Sequence, residues 1–339
     1  SGVGSRESGV GSRESGVGVA TMTGYARFPV SLHEQAHLQR SSSKATDAHS
    51  AAGGFGIGTA DVGLWAACRC AFRPACIIAG MKIASWNVNS LKVRLPHLAQ
   101  WLQDAQPDVV GLQETKLEDD KFPDTEIAAL GYRSVFAGQK TYNGVALLAR
   151  GQAIEDVQIG IPGFEDPQRR VIAATVGGVR IVNLYVVNGQ DIGTEKYDYK
   201  LRWLDAVHDW VAEELKSHPK MVVMGDFNIA PDDRDVHDPA IWNDTSILTS
   251  TAERAALKRL LDLGLHDAYR LHHADGGMFS WWDYRQAGFR RNLGLRIDLT
   301  LVSDALRDAA EAADIDREPR TWERPSDHAP AWVKLKISR

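Results

Sequence analysis

Polar and acidic side chains recur at the points where apolar, strand-like runs of this sequence end. An asparagine or a carboxylate closes four of these runs, and an aspartate–histidine pair precedes the last run. Taken singly, such residues are typical of turns and helix caps. If the runs are strands of one sheet or of neighbouring sheets, their ends can converge on one edge. The set is Asn87, Glu114, Asp226, Asn228, Asp298, Asp327 and His328.

The chemistry that this set could perform is the binding of a divalent cation. Carboxylate and amide oxygens are hard ligands, which favour Mg²⁺, Mn²⁺ or Ca²⁺ over zinc. Four carboxylates crowded at one sheet edge would also repel one another strongly without a cation. The pattern therefore predicts a metal site built from strand ends.

The elements that must position these groups are short β-type runs alternating with helical patterns. Helical periodicity is clearest over 197–216 and 252–263 and weaker over 95–104. Several strands follow one another without a helix between them, which favours mixed or antiparallel sheets over a Rossmann alternation. We expect an α/β sandwich of two sheets with helices outside. The predicted strands are 82–87, 108–113, 132–137, 144–150, 170–176, 179–186, 221–227, 279–282, 296–302 and 331–335.

The first 80 residues differ in character from the rest. Residues 1–18 repeat a seven-residue unit of small and polar residues, which is typical of a disordered segment. The apolar run 62–80 contains two arginines and a proline, so it is a poor membrane span. We expect residues 1–80 to be a disordered or non-native extension, with Met81 the natural start and residues 81–339 the catalytic domain.

Cysteine and charge divide at the same boundary. Cys68, Cys70 and Cys76 are the three cysteines of the chain, and their spacing supplies too few ligands for a closed zinc site, so we interpret them as incidental thiols. A cysteine-free domain is not of the disulfide-held, secreted type, and we expect a cytoplasmic protein. Residues 81–339 carry 32 lysines and arginines against 39 aspartates and glutamates. This net charge of −7 argues against nucleic-acid binding by bulk charge alone.

Seven short motifs of residues 81–339 carry a resemblance to a known family. They are W-N-V-N at 86–89, L-Q-E-T-K at 112–116, Y-N-G-V-A at 142–146, G-D-F-N-I-A-P at 225–231, F-S-W-W-D-Y-R at 279–285, L-R-I-D at 295–298 and S-D-H-A-P at 326–330. In this order they resemble the signatures of the exonuclease III family, a branch of the endonuclease/exonuclease/phosphatase superfamily. Any one of these motifs is weak evidence, whereas seven in order are specific.

The resemblance implies a four-layered α/β sandwich of the deoxyribonuclease I type, with two mixed β-sheets flanked by helices. It also implies a DNA-repair nuclease that cleaves phosphodiester bonds in duplex DNA with Mg²⁺, for which Mn²⁺ would substitute. The expected activities are 3′→5′ exonuclease, incision at abasic sites and cleaning of 3′ ends. The expected partner is double-stranded DNA with abasic sites or 3′ ends, bound by a monomer and without a membrane.

The resemblance also implies roles for the individual site residues. Glu114 would be the principal metal ligand, with Asn87 beside it and Asp327 as a further or water-mediated ligand. Asp226 would orient or deprotonate the attacking water, with Asn228 holding the site in place. His328 would contact the scissile phosphate with its orientation fixed by Asp298, and Tyr185 would lie near that phosphate. The expected metal-binding set is Asn87, Glu114, Asp226, Asn228, Asp327 and His328.

These roles agree with the demands of phosphodiester hydrolysis. The reaction needs an activated in-line water and stabilisation of charge on the phosphoryl oxygens and the leaving oxygen. A general base such as Asp226 contributes roughly 10²–10⁴ in rate. A cationic His328 beside Asp298 would stabilise the developing charge. The other reading of the Asp298–His328 pair is a structural buried ion pair.

Substrate contacts are expected from three groups of residues. Trp281, Leu295 and Ile297 would wall a small apolar pocket that admits a flipped sugar lacking its base and excludes an intact nucleotide. Lys140, Tyr142 and Asn143 match a stretch along the DNA backbone in this family. Local basic clusters would grip phosphates despite the acidic total. These clusters are Arg169 with Arg170, Lys196 with Lys200 and Arg202, and Arg285 with Arg290, Arg291 and Arg296.

Family members differ in the loop at 232–238, which borders the groove where the bound strand is distorted. A bulky His237 there would favour trimming of 3′ ends over internal cleavage at abasic sites. Two other functions remain open from the sequence. One is the same fold acting on a phosphoester other than DNA, and the other is a catalytically silent DNA-binding module.

Overall fold

The computed structural model describes residues 78–338, and the expectations for residues 1–77, including the cysteines, lie outside these residues. The strands are β1 (Ile78–Asn87), β2 (Val109–Gln113), β3 (Tyr132–Ala137), β4 (Val145–Arg150), β5 (Glu155–Ile159), β6 (Val171–Val176), β7 (Val179–Tyr185), β8 (Met221–Asp226), β9 (Leu265–Asp267), β10 (Trp281–Trp282), β11 (Gly294–Leu295), β12 (Asp298–Ser303), β13 (Ala310–Ile315) and β14 (Ala331–Ser338). The helices are α1 (Leu91–Ala105), α2 (Asp124–Ala129), α3 (Glu195–Ser217), α4 (Thr251–Leu261), α5 (Ala268–His272) and α6 (Asp304–Arg307).

The strands form two six-stranded sheets and one small ribbon. The first sheet has the order β13-β14-β1-β2-β4-β3, and the second has the order β5-β6-β7-β8-β12-β9. In each sheet one central pair is parallel, β1 with β2 and β7 with β8, and the other neighbours are antiparallel. Both sheets are therefore mixed, as predicted. The ribbon pairs β10 with β11.

Apolar faces hold four layers together. Buried residues of both sheets, such as Ile83 and Val222, form one cluster between the sheets. Helix α1 packs through Leu98 and Trp101 against the outer face of the first sheet. Helix α3 packs with α4 on the second sheet, where Trp203 is fully buried. Since each sheet buries one face on the other sheet and one under helices, the predicted four-layered sandwich is confirmed.

Several element boundaries differ from the sequence prediction. The strands β5, β9, β11 and β13 and the helices α2, α5 and α6 are not among the predicted elements, and the predicted strand 279–282 is only Trp281–Trp282. Strand β1 begins at Ile78 and pairs with β14 from its first residue, so it includes three residues assigned to the extension. Among residues 78–338, no helix combines the length and the apolar character that a membrane crossing requires.

Strand direction brings the polar ends together. The parallel strands β1 and β2 end at the same edge, as do β7 and β8, where Tyr185 is in register with Asp226. Strand β12 runs antiparallel to β8 and begins at Asp298, directly opposite Asp226. Gly225 allows this approach, because its φ is +148° and an added Cβ would lie 1.9 Å from the carbonyl oxygen of Leu184.

Buried Asn183 joins the two sheets beneath this edge. Its Nδ2 donates to the carbonyl oxygens of Leu112 (2.9 Å) and Ala146 (3.0 Å) in the opposite sheet. Its Oδ1 accepts a hydrogen bond from Gln113 at 2.6 Å. Because a buried amide is costly unless its donors and acceptors are paired, this network favours one alignment of the two sheets.

Candidate active site

Glu114 follows β2 and lies at the centre of the converged strand ends. Its Oε1 accepts hydrogen bonds from Nδ2 of Asn87 and from the hydroxyl of Tyr185, both at 2.9 Å. Its Oε2 lies 2.7 Å from Nζ of Lys116. Burial alone would raise the pKa of Glu114, but Lys116, the Asn87 hydrogen bond and His328 outweigh it and lower the pKa. Glu114 is therefore a carboxylate near neutral pH.

Asp226 lies at the end of β8 and is buried. Its Oδ2 accepts a hydrogen bond from Nδ2 of Asn87 at 2.9 Å, and its Oδ1 accepts one from the backbone N–H of Asn228 at 2.9 Å. Burial, with the negative charges of Asp298 and Glu114, raises its pKa to about 7 despite His328 and the Asn87 hydrogen bond. A carboxyl group with a pKa in this range suits a general base.

His328 is held between two carboxylates. Its Nδ1 lies 2.8 Å from Oδ2 of Asp298, and its Nε2 lies 3.7 Å from Oδ2 of Asp226. Burial would lower the pKa of His328, but Asp298 and Asp226 outweigh this effect and raise the pKa to about 10. The ring is therefore an imidazolium, which can stabilise an anion but has no free nitrogen lone pair for a metal.

The residues at this edge fit a hard divalent cation. One carboxylate oxygen of Glu114, one of Asp226 and a ring nitrogen of His328 all lie within 4.8 Å of one another. The two oxygens are the ligand atoms of this group, because the protonated ring has no free lone pair. In addition, Oδ1 of Asp298 is buried and has no hydrogen-bond partner among residues 78–338. The carboxyl oxygens of Glu114 and Asp226 are the donors that such cations prefer, and a cation would offset the burial and the neighbouring negative charges that raise the pKa of Asp226.

Four of the six expected metal ligands are placed differently from the carboxylates of Glu114 and Asp226: Asn87, Asn228, Asp327 and His328, whose ring is protonated. Asn87 turns its Nδ2 toward Glu114 and Asp226, and its Oδ1 accepts the backbone N–H of Asn89 at 2.9 Å. Asn228 uses Nδ2 on the carbonyl oxygen of Val186 (3.1 Å), and its Oδ1 accepts from Asn188 (3.0 Å). In these positions, the side-chain amides of Asn87 and Asn228 form hydrogen bonds that hold neighbouring groups of the site in place.

Asp327 lies at the rim of the site rather than in this cation group. Its Oδ1 accepts a hydrogen bond from Asn89 (2.9 Å), and its Oδ2 accepts one from Nε1 of Trp281 (3.1 Å). Asn89 in turn accepts a hydrogen bond from Nζ of Lys116 at 2.6 Å. Asp327 is therefore connected to Glu114 through Asn89 and Lys116.

Left-handed backbone conformations recur at and beside the site, at Asn89, Glu114, Lys116, Asn143 and Asn228. Glu114 has a φ of 54° and Asn228 has a φ of 48°. Such values are uncommon for residues other than glycine and cluster where the surrounding structure imposes them at functional sites. The contacts of the converged side chains therefore hold the turns after β2 and β8 in this uncommon conformation.

Tyr185 closes the site on the side of the second sheet. The guanidinium of Arg170 lies over its ring, 4.6 Å from the centroid. Burial and the neighbouring Glu114 and Asp226 raise its pKa well above the usual value, so the phenol keeps its proton and donates. A cleft of about 730 Å³ opens beside it and is lined by Tyr142, Asn143, Arg170, Asn188 and Lys196 among others.

Lys140, Tyr142 and Asn143 lie together on the loop before β4, next to this cleft. Tyr142 is 68% exposed and Lys140 is exposed, so both are free to contact a ligand. Asn143 is buried, and its Nδ2 donates to Oε1 of Gln139 (3.1 Å) and of Gln168 (3.3 Å). Asn143 therefore shapes this loop from within.

The residues expected to wall an apolar pocket form one cluster. Leu295 and Ile297 are buried together with Val236, and Trp281 packs on them with part of its surface exposed. His237 is half-buried beside this cluster, with its ring against the carbonyl oxygen of Gly294. Trp281 and His237 are thus the surface that a ligand would meet, and the two aliphatic residues lie beneath them.

Two of the basic residues expected to contact phosphates are buried. The expectation of phosphate contact is therefore wrong for these two residues. Lys200 is fully buried in an ion pair with Glu253. Arg296 is fully buried between Asp235 and Asp267. By contrast, Arg290 and Arg291 are exposed on the loop before β11, as DNA contact requires.

Sequence reasoning did not assign Lys116 and Asn89 to the site, although both lie within quoted motifs. Lys116 ends L-Q-E-T-K, and Asn89 ends W-N-V-N. The signal that could have found them was their spacing, since each lies two residues beyond an assigned residue. A basic residue so close to Glu114 is itself a sign of a charged site.

Comparisons with known proteins identify relatives of this chain in sequence and in fold. The pattern of the Endonuclease/Exonuclease/phosphatase family matches residues 84–328. The chain is similar to an exodeoxyribonuclease III from Haemophilus influenzae, with 37% identity over 268 residues that cover 76% of this chain and 100% of the relative. A 3′ phosphatase from Neisseria, solved with a product DNA hairpin, is 48% identical with a TM-score of 0.74, over 76% of this chain and 100% of that one. An AP endonuclease from Archaeoglobus fulgidus is 35% identical with a TM-score of 0.73 over the same shares.

Proposed function

Since the chain belongs to the endonuclease/exonuclease/phosphatase family, we propose that it is a metal-dependent DNA-repair nuclease that hydrolyses phosphodiester bonds in duplex DNA. The observation that carries this proposal is the convergence of Glu114, Asp226 and a cationic His328 within 4.8 Å at the sheet edge. The site thus combines acidic ligands, a base and a fixed positive charge. Phosphodiester hydrolysis needs all three.

Each site residue has a role that follows from its surroundings. Asp226 accepts the proton of the attacking water, since its buried carboxyl group is held in the site by the backbone N–H of Asn228, and burial raises its pKa in the metal-free protein. His328 faces the phosphoryl group as a cation, and Asp298 keeps its ring oriented. Tyr185 donates a hydrogen bond from its phenol, and Asn228 holds the Asp226 carboxylate through its backbone N–H.

The cation would be held mainly by the carboxylate of Glu114, with Asp226 nearby and Asp327 at the rim. When bound, it would supply positive charge to the phosphoryl oxygens and to the leaving 3′ oxygen. Mg²⁺ is the ion we propose, with Mn²⁺ as a substitute, because the donors are oxygens. Asn87 supports this role by fixing both carboxylates with one amide group.

Double-stranded DNA with an abasic site or a 3′ end is the proposed substrate, bound by a monomer. Exposed cations flank the site although residues 81–339 carry a net negative charge, so phosphate contact would be local. Lys140, Tyr142 and Arg170 flank the cleft on one side, and Arg290 and Arg291 lie on the other loop. Trp281 supports recognition of a sugar without a base, since it caps an apolar cluster.

One assay tests this function against its alternatives. A duplex labelled at one abasic site and at a recessed 3′ end is incubated with the protein and Mg²⁺. We expect incision or trimming that is lost with EDTA and falls by at least about 10²-fold in Asp226→Asn. Phosphate release from a small phosphoester without a DNA product would instead identify a non-DNA phosphoesterase. Binding of DNA without any product would identify a silent binding module.

A further inference from the structure

Lys200 is a buried cation that the reaction scheme leaves without a role. It lies on α3 and is fully buried, as is its partner Glu253 on α4. Besides this ion pair, its Nζ donates to the carbonyl oxygens of Asn228 (2.8 Å) and Asn188 (3.1 Å). An ammonium group has three N–H donors, and here each has an acceptor.

The two carbonyl groups belong to the loops that follow β7 and β8. Asn188 and Asn228 also contact each other, with Nδ2 of Asn188 3.0 Å from Oδ1 of Asn228. The backbone N–H of Asn228 then donates to Oδ1 of Asp226 at 2.9 Å. A continuous path of hydrogen bonds therefore runs from Lys200 through Asn228 to Asp226.

Glu253 is itself held in place by hydrogen bonds, so it fixes the position of the Lys200 ammonium group. Its Oε2 accepts from the backbone N–H (3.1 Å) and the hydroxyl (2.6 Å) of Ser250, the residue that caps α4. The hydroxyl of Tyr197 lies 2.6 Å from the same Ser250 hydroxyl. The helices α3 and α4 thus present one ammonium group, at a defined point, to the two loops of the site.

We propose that Lys200 is a positioning residue for hydrolysis: it holds the left-handed turn at Asn228 and thereby the orientation of the Asp226 carboxylate. Asn228 has a φ of 48°, an uncommon conformation that neighbouring contacts must maintain. Without the ammonium group, the buried carbonyl oxygen of Asn228 loses a donor, and so does the less buried carbonyl oxygen of Asn188. The turn at Asn228 then relaxes so that its buried carbonyl finds another donor. This inference rests on the proposed function, because it assigns Asp226 the role of the base.

The test replaces the whole ion pair, so that no charge is left buried alone. The variant Lys200→Met/Glu253→Met exchanges the pair for apolar side chains, a change that proteins often tolerate. The matched control is Arg180→Met/Glu214→Met, which removes another largely buried pair, one that joins β7 to the same helix α3. Arg180 lies at the far end of β7 from Tyr185, with its Nε 2.7 Å from Oε2 of Glu214.

We expect kcat of the Lys200/Glu253 variant to fall about 10²-fold with KM within about threefold, because a misplaced base slows chemistry without weakening DNA binding. The kcat of the Arg180/Glu214 control variant should stay within about threefold of the wild-type value. In the metal-free proteins, hydrogen exchange of the Asn228 amide should accelerate at least about tenfold in the variant and not in the control. If the double variant does not fold, Lys200→Gln/Glu253→Gln, which also leaves no charge buried alone and keeps polar side chains, should show the same effects more weakly.

The proposal is overturned if kcat is unchanged, if KM alone rises, or if the control loses as much activity. The amide exchange separates this proposal from the proposed function. A wild-type protein that cleaves no DNA would refute the nuclease assignment. The exchange of Asn228 would still report whether Lys200 holds the turn, and an unchanged rate would refute that role by itself.

Discussion

Nδ1 of His328 lies 2.8 Å from Oδ2 of Asp298, and both side chains are buried. The same ring places Nε2 3.7 Å from Oδ2 of Asp226. One carboxylate therefore orients and charges the imidazole, while the opposite ring nitrogen faces the proposed base. This relationship determines the charge state of the site across the physiological pH range.

The His328 ring should stay protonated in the metal-free protein until the pH approaches about 10. Burial opposes this charge, but Asp298 and Asp226 raise the pKa above its usual value of 6.5. The stabilisation of the fold by this charge is fully present below about pH 6.5 and is lost as the pH rises through about 10. A pH titration followed by side-chain ¹⁵N NMR, with His328→Asn to assign the signal, measures the pKa of the His328 ring. Asp298→Asn should lower the pKa, and a wild-type ring that titrates near 6.5 would contradict this account.

Mg²⁺ should stabilise the protein through Glu114. At a concentration about 100 times its dissociation constant, a ligand adds about 2.7 kcal/mol, which raises the melting temperature by roughly 5–10 °C for a domain of this size. Glu114→Gln removes a negative ligand and should abolish most of this increase. The control is Glu118→Gln, which changes an exposed glutamate paired with Lys121. An equal response of both variants to Mg²⁺ would place the ion elsewhere.

His237→Gly should raise incision at an internal abasic site relative to trimming of a recessed 3′ end. The His237 ring is half-buried beside the cluster that contains Trp281, and it packs edge-on against Trp242 with 6.4 Å between ring centroids. A smaller residue would open this edge to a continuous, distorted strand. The ratio of the two activities on labelled duplexes measures the effect. An unchanged ratio would remove this role of His237.

Arg296→Met should destabilise the protein by about 3–5 kcal/mol. The substitution removes the positive charge that balances the buried carboxylates of Asp235 and Asp267. Urea unfolding followed by circular dichroism measures the change. The comparison variant is Arg285→Met, which removes an exposed arginine paired with Asp283 and should leave the urea midpoint nearly unchanged. Equal losses in both variants would show that burial of the pair is not the cause.

The strand-end chemistry was predictable because it depends on local order. Asn87, Glu114 and Asp226 each close an apolar run, and parallel neighbours end at the same edge, so their meeting follows from strand type and pairing. The four-layered arrangement followed from strand pairs without intervening helices and from the family resemblance. The strand β13, with the sequence AEAADI, has few residues that favour strands, and its pairing with β14 places it in the sheet.

Burial of charged residues was not predictable from local sequence. Lys200 and Arg296 have the same local appearance as exposed Arg290, but their partners Glu253 and Asp235 lie 53 and 61 residues away along the chain. Only the packing of α3 against α4, or of β11 and β12 beside the loop at 232–238, creates these pairs. The orientation of the Asn87 amide likewise depends on Asn89 and two carboxylates from other elements.

The most direct test of the proposed metal-dependent nuclease site is a crystal structure with Mn²⁺ and a cleaved duplex, using anomalous scattering to locate the ion. We expect an anomalous peak about 2.2 Å from a carboxylate oxygen of Glu114. We also expect a phosphate group of the DNA product between that peak and Nε2 of His328. An ion bound away from Glu114 and Asp226, or DNA bound with no phosphate near His328, would contradict the proposed site.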